Sequence, residues 1–506
     1  MQPLPRIYRL LAFFFRRLVG IFFRQVRVTG LRNVPRDGGG LLVAWHPNAL
    51  VDPGLILTHF PRRVVFGARH GLFKIPLLGG MMRAVGTVPI YRRMDARQGG
   101  DEAARREANR RSLDALARAV AEGSYAALFP EGQSHDEPDV QALKAGAASL
   151  YYRACELTPE SAPRPCILPV GLHYNEKGVF GSNALVAFHP PIALPPDLAD
   201  PPPSDASREA RREQYQRLTL VLDRVLREVV YGTADWRLHH MMHRARKLVR
   251  AERAARAGVA LDKPDIEERV LGFARFWKGY QARQETHPQE TLALLQRIQR
   301  HDEELAVLHL EDHELDRSLH LRTLRRPALL LLQAVGVYLL LPSLVLIGYL
   351  VNLPTALAIL GLSKATAKAY KDEASFKLLV GALAFPLTWL AAALLVGWGQ
   401  SLLHATYPTV PEAPVLTGVV AFVLSALGGA VALIYLRLVR STAHAIRVRL
   451  TRARSAAAIR RLRHERSEIF DQVMALAAGL ELPGTVAADG RIVSADSDDR
   501  DAPDRT

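Results

Sequence analysis

Cysteine is the scarcest residue type in this chain. Cys155 and Cys166 are the only two cysteines among 506 residues, so no disulfide framework is predicted and a reducing, cytosolic environment is expected. A cleavable signal peptide is not expected either, because Arg16 and Arg17 interrupt the first apolar stretch. The sequence therefore argues against a small secreted protein held together by disulfides.

Charged residues are missing from three long stretches. The first runs from Pro327 to Leu362, the second starts at Leu378, and the third covers Val415 to Leu436. As a helix, the first would be roughly 54 Å long, against a hydrocarbon core of about 30 Å. We therefore expect Pro342 and Pro354 to break it into a bent hairpin, followed by two ordinary membrane spans.

Basic residues beside these runs predict their orientation. Arg325 and Arg326 precede the first run and Lys364 and Lys368 follow it, so both of its ends should face the cytoplasm. The loop 400–414 contains neither lysine nor arginine and should lie on the opposite side. These features predict an integral membrane protein, in a bacterial inner membrane, whose preceding domain lies on the cytoplasmic face.

Acidic residues are outnumbered by basic ones, 50 against 66, and the net charge is +16. Such a balance suits anionic lipid head groups and phosphate-bearing substrates. Nucleic acid is another partner of basic proteins, but no nucleic-acid motif is present and no such partner is expected. The HHMMH sequence at 239–243 has metal-like spacing, yet histidines scattered along a helix are the favoured interpretation, and no metal site is predicted.

The chain divides into segments of contrasting pattern. Residues 30–206 alternate β-rich runs with helical stretches, which predicts an α/β fold with a sheet, flanking helices and site residues at the strand ends. Before them, Leu10, Phe14, Leu18 and Ile21 define one face of an amphipathic helix in 1–29, lying in the membrane interface or docking on the domain. The expected later segments are an α-helical segment (207–325), a transmembrane region (326–438), a basic helical segment along anionic head groups or in solvent (439–485) and a disordered acidic tail (486–506).

Four short blocks carry the chemistry. LLVAWHPNALVDP places His46 at the end of an apolar strand with Asp52 six residues later, a potential acid–base pair. GTVPIYRR ends in Arg92 and Arg93, which could clamp an anion. LFPEGQSHDEP presents Glu131 after a third strand, and ILPVGLHY follows. Each block alone is weak evidence, because seventeen histidines make a chance His–Asp spacing common.

In this order and spacing, the blocks resemble those of the glycerolipid acyltransferase superfamily, which moves a fatty acyl group from a thioester to a hydroxyl of a glycerol phosphate. Two departures from the usual pattern of the superfamily indicate a particular group of enzymes within it. Five residues, rather than the usual four, separate His46 from Asp52, and Glu131-Gly132 continues as Gln133-Ser134-His135-Asp136. Both departures are similar to the fungal-type glycerol-3-phosphate/dihydroxyacetone-phosphate acyltransferases. Ser134 replaces the superfamily's third-block arginine, which leaves that arginine's role without a candidate.

The resemblance implies roles for particular residues. His46 would be the general base and Asp52 its orienting partner. The acceptor phosphate would bind Arg92 first and Arg93 second, with Arg69 and Lys144 as further basic residues. Gly86 and Gly132 would allow close backbone approach, and Glu131 would accept a hydrogen bond from a glycerol hydroxyl.

The expected function is acylation of glycerol 3-phosphate at a membrane, as a step of phospholipid synthesis. The donor would be acyl-CoA or an acyl carrier protein thioester, and no cofactor is expected. Lysophosphatidate is the alternative acceptor. A membrane lipid-binding protein with a degenerate acyltransferase domain is the alternative class, against which the intact His46, Asp52, Arg92 and Glu131 argue.

Overall fold

A computed structural model describes most of the chain. The described residues are 5–75, 78–91, 102–259, 261, 263–316, 331–366, 370–487 and 491–493. Along the chain, a sheet with its flanking helices is followed by a second group of helices and then by long apolar helices. A last helix packs against the second group.

A seven-stranded sheet forms the first part, in the order β1-β7-β6-β2-β5-β3-β4. Every neighbouring pair is parallel except β6 and β7. The strands are β1 Gln25–Thr29, β2 Gly40–Ala44, β3 Val64–Arg69, β4 Val88–Ile90, β5 Tyr125–Leu128, β6 Cys166–Tyr174 and β7 Asn183–Phe188. The predicted α/β class is confirmed. The β-rich runs of the sequence, LLVAW, VVFGA, TVPIY, YAALF, CILPVGLHY and ALVAF, coincide with β2 to β7. The strand β1 was not predicted, and residues 25–29 belong to the sheet rather than to the N-terminal helix.

Helices cover both faces of this sheet. One core contains α1 and α2, and the other contains α4, α5 and α7. The central strand β2 is buried at all five positions, which explains its unbroken apolar sequence. The bounds are α1 Arg6–Phe22, α2 Val51–His59, α3 Leu78–Ala84, α4 Glu102–Ala121, α5 Gly146–Leu157, α6 Pro196–Ala199 and α7 Arg208–Val230. Because α7 packs on the sheet, the domain continues past the predicted boundary at 206.

The N-terminal helix α1 has two apolar faces with different surroundings. Tyr8, Val19 and Phe22 are buried against the sheet domain, and the Tyr8 hydroxyl accepts a hydrogen bond from Val64 N. Leu10 and Ile21, from the predicted interfacial face, are instead 66% and 65% exposed. The helix therefore docks on the domain while keeping an apolar face outward.

A second group of helices follows, as predicted for 207–325. It comprises α8 Trp236–Ala257, α9 Ile266–Thr286 and α10 Pro288–Val307. No strand occurs among its described residues up to 316. We call α8, α9 and α10 the helical segment.

The basic segment near the C-terminus departs from the prediction. Arg466 is 1% exposed, and its guanidinium pairs with Glu252 Oε2 at 2.8 Å and Asp316 Oδ2 at 2.7 Å. Arg463 Nε donates to Leu315 O at 2.7 Å. Arg466 is therefore buried in the protein rather than placed at lipid head groups or in solvent, and Arg463 contacts the protein while its side chain stays 39% exposed.

Two long helices and a short hairpin complete the second half. The helices α12 Tyr370–Thr406 and α13 Pro414–Arg454 precede α14 Ala456–Ala477, which packs on the helical segment. The strands β8 Thr485–Val486 and β9 Ile492–Val493 pair antiparallel. Ordered structure therefore reaches beyond 486, the predicted start of the disordered tail.

Among the residues that the structure describes, two helices are long and apolar enough to cross a membrane, Glu373–Thr406 within α12 and Pro414–Arg454. Only 6% and 11% of their most apolar stretches are buried inside the protein. They run antiparallel, because Gly397 approaches Pro414 while Gly418 approaches Ala393. Their outward apolar surface is the kind that lipid covers.

The first apolar run is also helical, with α11 at Leu341–Thr366 after a π-helical turn at Gly336–Leu340. Pro342 lies in the first turn of α11, and Pro354 lies within it. Its first half runs antiparallel to α13, since Gly348 contacts Gly428 and Asn352 Nδ2 donates to Ser425 O at 2.9 Å.

The second half of this run must return toward the sheet domain. A straight continuation from 353 to 366 would add roughly 21 Å. The start of α12 nevertheless contacts the sheet domain, where Ser375 Oγ accepts from Leu50 N at 3.0 Å. A three-residue link cannot span that separation. The run therefore folds back near Pro354, which is the geometry that a bent hairpin has.

Candidate active site

The strands that carry the four blocks are neighbours in the sheet. Strands β6, β2, β5, β3 and β4 lie side by side and are mutually parallel, so their carboxyl ends meet at one edge. The blocks lie on β6, β2, β5 and β4, and β3 separates β5 from β4. His46 follows β2, Glu131 follows β5, and Arg69 ends β3. Open parallel sheets bind ligands at this edge.

His46 and Asp52 form the centre of this edge. His46 Nδ1 lies 2.8 Å from Asp52 Oδ2, and the imidazole stacks on the Phe129 ring with centroids 4.1 Å apart. The Asp52 side chain is fully buried, whereas that of His46 is 14% exposed. Nδ1 is therefore held by the carboxylate, which leaves Nε2 as the ring nitrogen available to a ligand.

Three donors surround the Asp52 carboxylate. Besides His46, the backbone N–H of Asn48 donates to Oδ2 at 2.7 Å, and the Tyr174 hydroxyl donates to Oδ1. Burial, followed by the charge of Asp52, raises the pKa of Tyr174 well above its usual value, so the phenol remains a neutral donor. Asp52 also lies in the first turn of α2, where the helix dipole favours an anion.

The five-residue spacer between His46 and Asp52 has a local structural consequence. Ala49 has a φ of 37°, in the left-handed region that non-glycine residues seldom adopt. The next residue, Leu50, donates its backbone N–H to Ser375 Oγ of α12. A long apolar helix therefore supports the loop that carries the His–Asp pair.

Glu131 does not occupy the position that the resemblance implies. Its side chain is fully buried. Oε2 accepts from His46 N at 2.8 Å, while Oε1 accepts from Gln141 N at 2.8 Å and lies 2.7 Å from His135 Nε2. Both oxygens are thus engaged by the protein. The expectation that Glu131 binds a glycerol hydroxyl is corrected: it ties the third block to the backbone of His46.

His135 and Asp136 do not form a pair with each other. His135 contacts Glu131, whereas Asp136 Oδ1 lies 2.7 Å from Lys177 Nζ. Lys177 Nζ also donates to Pro47 O at 2.9 Å. Lys177 therefore links the third block to the spacer after His46.

Some predicted basic residues line the rim of this edge. Lys144 is exposed, and its ammonium lies over Gly132, whose φ of 74° is in the left-handed region that favours glycine. Arg69 is exposed at the end of β3. Gly86, with a φ of 83°, turns the chain toward β4 and lies close to Val65.

Arg92 and Arg93 lie outside the described residues. The residue before them, Tyr91, is held at both backbone polar groups by Asn109 of α4, with distances of 2.8 Å for each hydrogen bond. The Tyr91 ring stacks on His70 at 4.3 Å. The chain is therefore fixed at the same sheet edge immediately before the arginine pair.

Sequence reasoning missed Tyr174, Lys177 and Ser375. Tyr174 ends the ILPVGLHY block, but only the adjacency of β6 and β2 brings it to Asp52. Ser375 lies at the start of an apolar helix, 325 residues from Leu50. A polar residue closing a strand was the available signal for Tyr174, whereas nothing in the sequence indicated Ser375.

The described residues contain no group of three or more histidine, cysteine or acidic side chains arranged to hold a metal ion. His239 and His243 instead pack on the Phe273 ring, with centroids 4.7 Å away from each. Burial lowers the pKa of His239 to about 4 and that of His243 to about 2.

Comparison with known proteins identifies the sheet domain. Residues 25–173 match the family model described as Acyltransferase. The chain is 24% identical over 379 residues to an uncharacterized acyltransferase of Schizosaccharomyces pombe, covering 59% of this chain and 53% of that protein. It is 28% identical over 153 residues to glycerol-3-phosphate O-acyltransferase 2 of Saccharomyces cerevisiae, covering 29% and 19%.

A bacterial protein is also similar. The 1-acyl-sn-glycerol-3-phosphate acyltransferase of Borreliella burgdorferi is 25% identical over 161 residues, covering 32% of this chain and 56% of that protein. The chain spans about half the length of two of these relatives and a fifth of the third. The matched residues contain β1 to β5, all of β6 except Tyr174, and the whole His46–Asp52–Glu131 arrangement. Residues 25–173 are thus similar to the Acyltransferase family, and part of the chain is similar to the yeast glycerol-3-phosphate O-acyltransferases.

Proposed function

We propose that this protein transfers a fatty acyl group from a thioester to a hydroxyl of glycerol 3-phosphate. The observation that carries the proposal is the His46–Asp52 pair at the carboxyl edge of the sheet, with the carboxylate buried among three donors and the imidazole reaching the surface. A pair arranged in this way supplies a base and its orienting anion.

The reaction would proceed by direct attack. His46 Nε2 accepts the proton of the acceptor hydroxyl as its oxygen bonds to the thioester carbonyl carbon. Asp52 keeps the proton on Nδ1 and stabilises the imidazolium. When the tetrahedral intermediate collapses, the carbon–sulfur bond breaks and His46 returns the proton to the departing thiolate. The protein supplies no nucleophile of its own, so no acyl-enzyme forms and ping-pong kinetics are not expected.

The acceptor phosphate needs basic partners, and this edge offers them. Lys144 and Arg69 are exposed at the rim, and Arg92 and Arg93 follow the fixed Tyr91. Arg92 is our first choice for a bidentate contact because guanidinium geometry matches phosphate oxygens. Gly86 and Gly132 would admit the substrate close to the backbone.

Glycerol 3-phosphate is the favoured acceptor for two reasons. The five-residue spacer and the Ser134-His135-Asp136 continuation both resemble the fungal-type enzymes, and similarity to a yeast glycerol-3-phosphate O-acyltransferase agrees with them. Lysophosphatidate is the second candidate, since a similar bacterial protein is named for that reaction. A non-catalytic lipid-binding role fits less well, because the His46–Asp52 pair is intact.

The reaction would take place at a membrane. The helices α12 and α13 are long and apolar enough to span it, and α1 turns Leu10 and Ile21 outward beside the domain. The donor, acyl-CoA or an acyl carrier protein thioester, would come from the cytoplasmic face, where we place the domain. A bacterial inner membrane stays a prediction of the sequence.

The test is acyl transfer by purified, membrane-reconstituted protein with labelled acyl-CoA. We expect His46→Ala to lower kcat by about 10²–10⁴-fold, because loss of a general base typically has that effect. The protein should remain folded and membrane-bound. His464→Ala, which removes an 80% exposed imidazole, is the matched control. If His46→Ala keeps more than about half of the wild-type rate, the base is assigned wrongly.

The acceptor is tested by comparing glycerol 3-phosphate with lysophosphatidate. We expect faster acylation of glycerol 3-phosphate, and Arg92→Ala should raise its KM more than it lowers kcat, because a small polar acceptor depends on phosphate contacts. Arg106→Ala, at a 73% exposed arginine of α4, is the control. Acylation of lysophosphatidate alone would reject the acceptor but leave the reaction type intact.

A further inference from the structure

A cavity of about 110 Å³ lies within the helical segment, far along the chain from the acyltransferase blocks. It is lined by α8, α9, α10 and α14, together with Leu482 and Ile492, and it opens to the surface on one side. Most of its surface is apolar, with contributions from Met242, Val249, Leu294, Ile298, Val473 and Leu476. A space of this size and lining suits methylene groups better than water.

Arginines surround this apolar space. Among the described residues that line it, five are arginines and Glu268 is the one carboxylate. Arg250 forms a bidentate ion pair with that carboxylate, with Nε 2.6 Å from Oε1 and Nη2 3.2 Å from Oε2. Arg275 donates to the carbonyls of residues 482–484, and Arg283 donates to those of Leu476 and Ala478. These three guanidinium groups therefore have partners within the protein.

Arg246 is different. It is 3% exposed, and in the part of the chain that the structure describes its Nε has no hydrogen-bond partner and its guanidinium has no ion pair. Its side chain packs against Gly272 and lines the cavity. Burial, followed by the charges of Arg269 and Arg250, lowers its pKa to about 9. The charge of Glu268 offsets part of this lowering, but its carboxylate is hydrogen-bonded to Arg250 rather than to Arg246. A buried cation without a hydrogen-bonded counterion destabilises the folded protein, so binding of an external anion beside Arg246 would be favourable.

We propose that this cavity binds a single-chain anionic amphiphile, whose head group pairs with Arg246 and whose acyl chain fills the apolar space. A guanidinium binds carboxylate or phosphate oxygens in the same bidentate geometry, so a fatty acid and a phosphorylated single-chain lipid share the required chemistry. The site is separate from His46 and Asp52, and its occupancy does not depend on acyl transfer.

The probes are octyl phosphate, octanoate and octanol, titrated into the full chain held in amphipol. Their short chains keep them monomeric. We expect the two anions to bind and to raise Tm, because a ligand that binds only the folded state stabilises it. Octanol should bind at least tenfold more weakly. Tighter binding of octanoate indicates a fatty acid, and tighter binding of octyl phosphate indicates a phosphorylated lipid.

Two variants separate the head-group contact from the apolar contact. Arg246→Gln should weaken both anions at least tenfold while leaving octanol unchanged. Gly279→Leu should weaken all three probes, because a Cβ there meets only Leu482, at 3.9 Å, and the longer side chain would enter the cavity. Arg237→Gln, at an exposed arginine of α8 that donates to Gln299, is the control and should change nothing.

Stability without ligand gives an independent test. Removing an unpaired buried charge should raise the Tm of unliganded Arg246→Gln above that of the wild type. A lower Tm would show that Arg246 has a structural partner and would overturn the proposal. Equal binding of octanol and the anions, or unchanged binding by Gly279→Leu, would also overturn it. None of these outcomes is affected by the acyltransferase assays.

Discussion

Two regions of this protein bury charged groups in opposite ways. At the sheet edge, the Asp52 carboxylate is fully buried and receives three donors, and the Glu131 carboxylate is fully buried and receives donors at both oxygens. In the helical segment, Arg246 is almost as buried, yet within the described residues its Nε has no acceptor. His243, on the same helix, also has an unpartnered ring nitrogen.

The difference shows how burial relates to function. A buried charge with all of its hydrogen bonds made is stable without ligand, so the sheet edge is organised for chemistry before substrate arrives. A buried charge without a partner raises the free energy of the folded state until an anion binds. At the sheet edge, the buried charges are therefore paired by the protein itself, whereas in the helical segment Arg246 would be paired only when an anion binds.

The largest expected effect comes from changing the centre of the sheet edge. Asp52→Asn retains the size of the side chain but replaces one acceptor oxygen with a donor nitrogen. His46 would then lose the partner that fixes its tautomer and stabilises the imidazolium. We expect kcat for acyl transfer to fall by about 10²–10⁴-fold with little change in KM. Steady-state kinetics on the reconstituted protein measure both constants.

A matched control distinguishes this effect from a general loss of charge. Asp114→Asn breaks a partly exposed ion pair, in which Arg153 Nε is 2.8 Å from Oδ1, on a helix that supplies no reacting group. Partly exposed pairs of this kind contribute little, so its kcat should stay within about twofold of wild type. A loss of less than about fivefold for Asp52→Asn would mean that the pair at the sheet edge is structural.

A smaller effect should follow from removing one donor and keeping the others. Tyr174→Phe deletes the hydroxyl that donates to Asp52 Oδ1 and preserves the ring, which packs near Phe23. A hydrogen bond to a charged group contributes about 1.5–3 kcal/mol, part of which the remaining donors should recover. We expect a loss of about three- to tenfold in kcat/KM.

The direction of the pH response tests the role of Tyr174. With one donor fewer, the Asp52 carboxylate should attract the imidazolium of His46 more strongly, and the acidic limb of the rate profile should move to higher pH. A merely structural role for the ring would lower the rate without moving that limb. An unchanged pH–rate profile would therefore show that the Tyr174 hydroxyl does not act on the His46–Asp52 pair.

The sheet and the central pair were accessible from sequence for physical reasons. Runs such as LLVAW and YAALF are continuous and apolar, which is typical of strands buried in a parallel sheet, and polar residues at their ends mark its carboxyl edge. Because His46 and Asp52 are only six residues apart, the geometry of one loop brings them together. Local pattern was sufficient for both features.

Other parts depend on contacts between distant segments. Tyr174 reaches Asp52 because β6 lies beside β2, and strand order is not encoded in local periodicity. Ser375 reaches Leu50 because α12 returns to the domain after a fold-back near Pro354. The role of Glu131 changed because an apolar strand followed by Pro-Glu-Gly does not reveal that both carboxylate oxygens face protein donors.

The smallest expected effect concerns acid stability, and it compares one buried histidine from each region. Burial, then His239, Arg246 and Arg269, lowers the pKa of His243 to about 2. At the sheet, burial and His189 lower the pKa of His173 to about 3. In the unfolded chain both would titrate near about 6.5. Between these limits the unfolded chain binds protons that the folded protein does not, so stability is complete above about pH 6.5 and falls as the pH is lowered.

We therefore expect the Tm of the wild type to decrease by several degrees from pH 7.5 to pH 5.0, as measured by calorimetry in amphipol. His243→Phe and His173→Phe should each remove a similar part of this decrease. With pKa values of about 2 and about 3, both histidines stay neutral in the folded protein at pH 5.0, so the lost stability comes from protonation of the unfolded chain. Equal pH dependence in the wild type and His243→Phe would show that His243 is already protonated in the folded protein over this pH range.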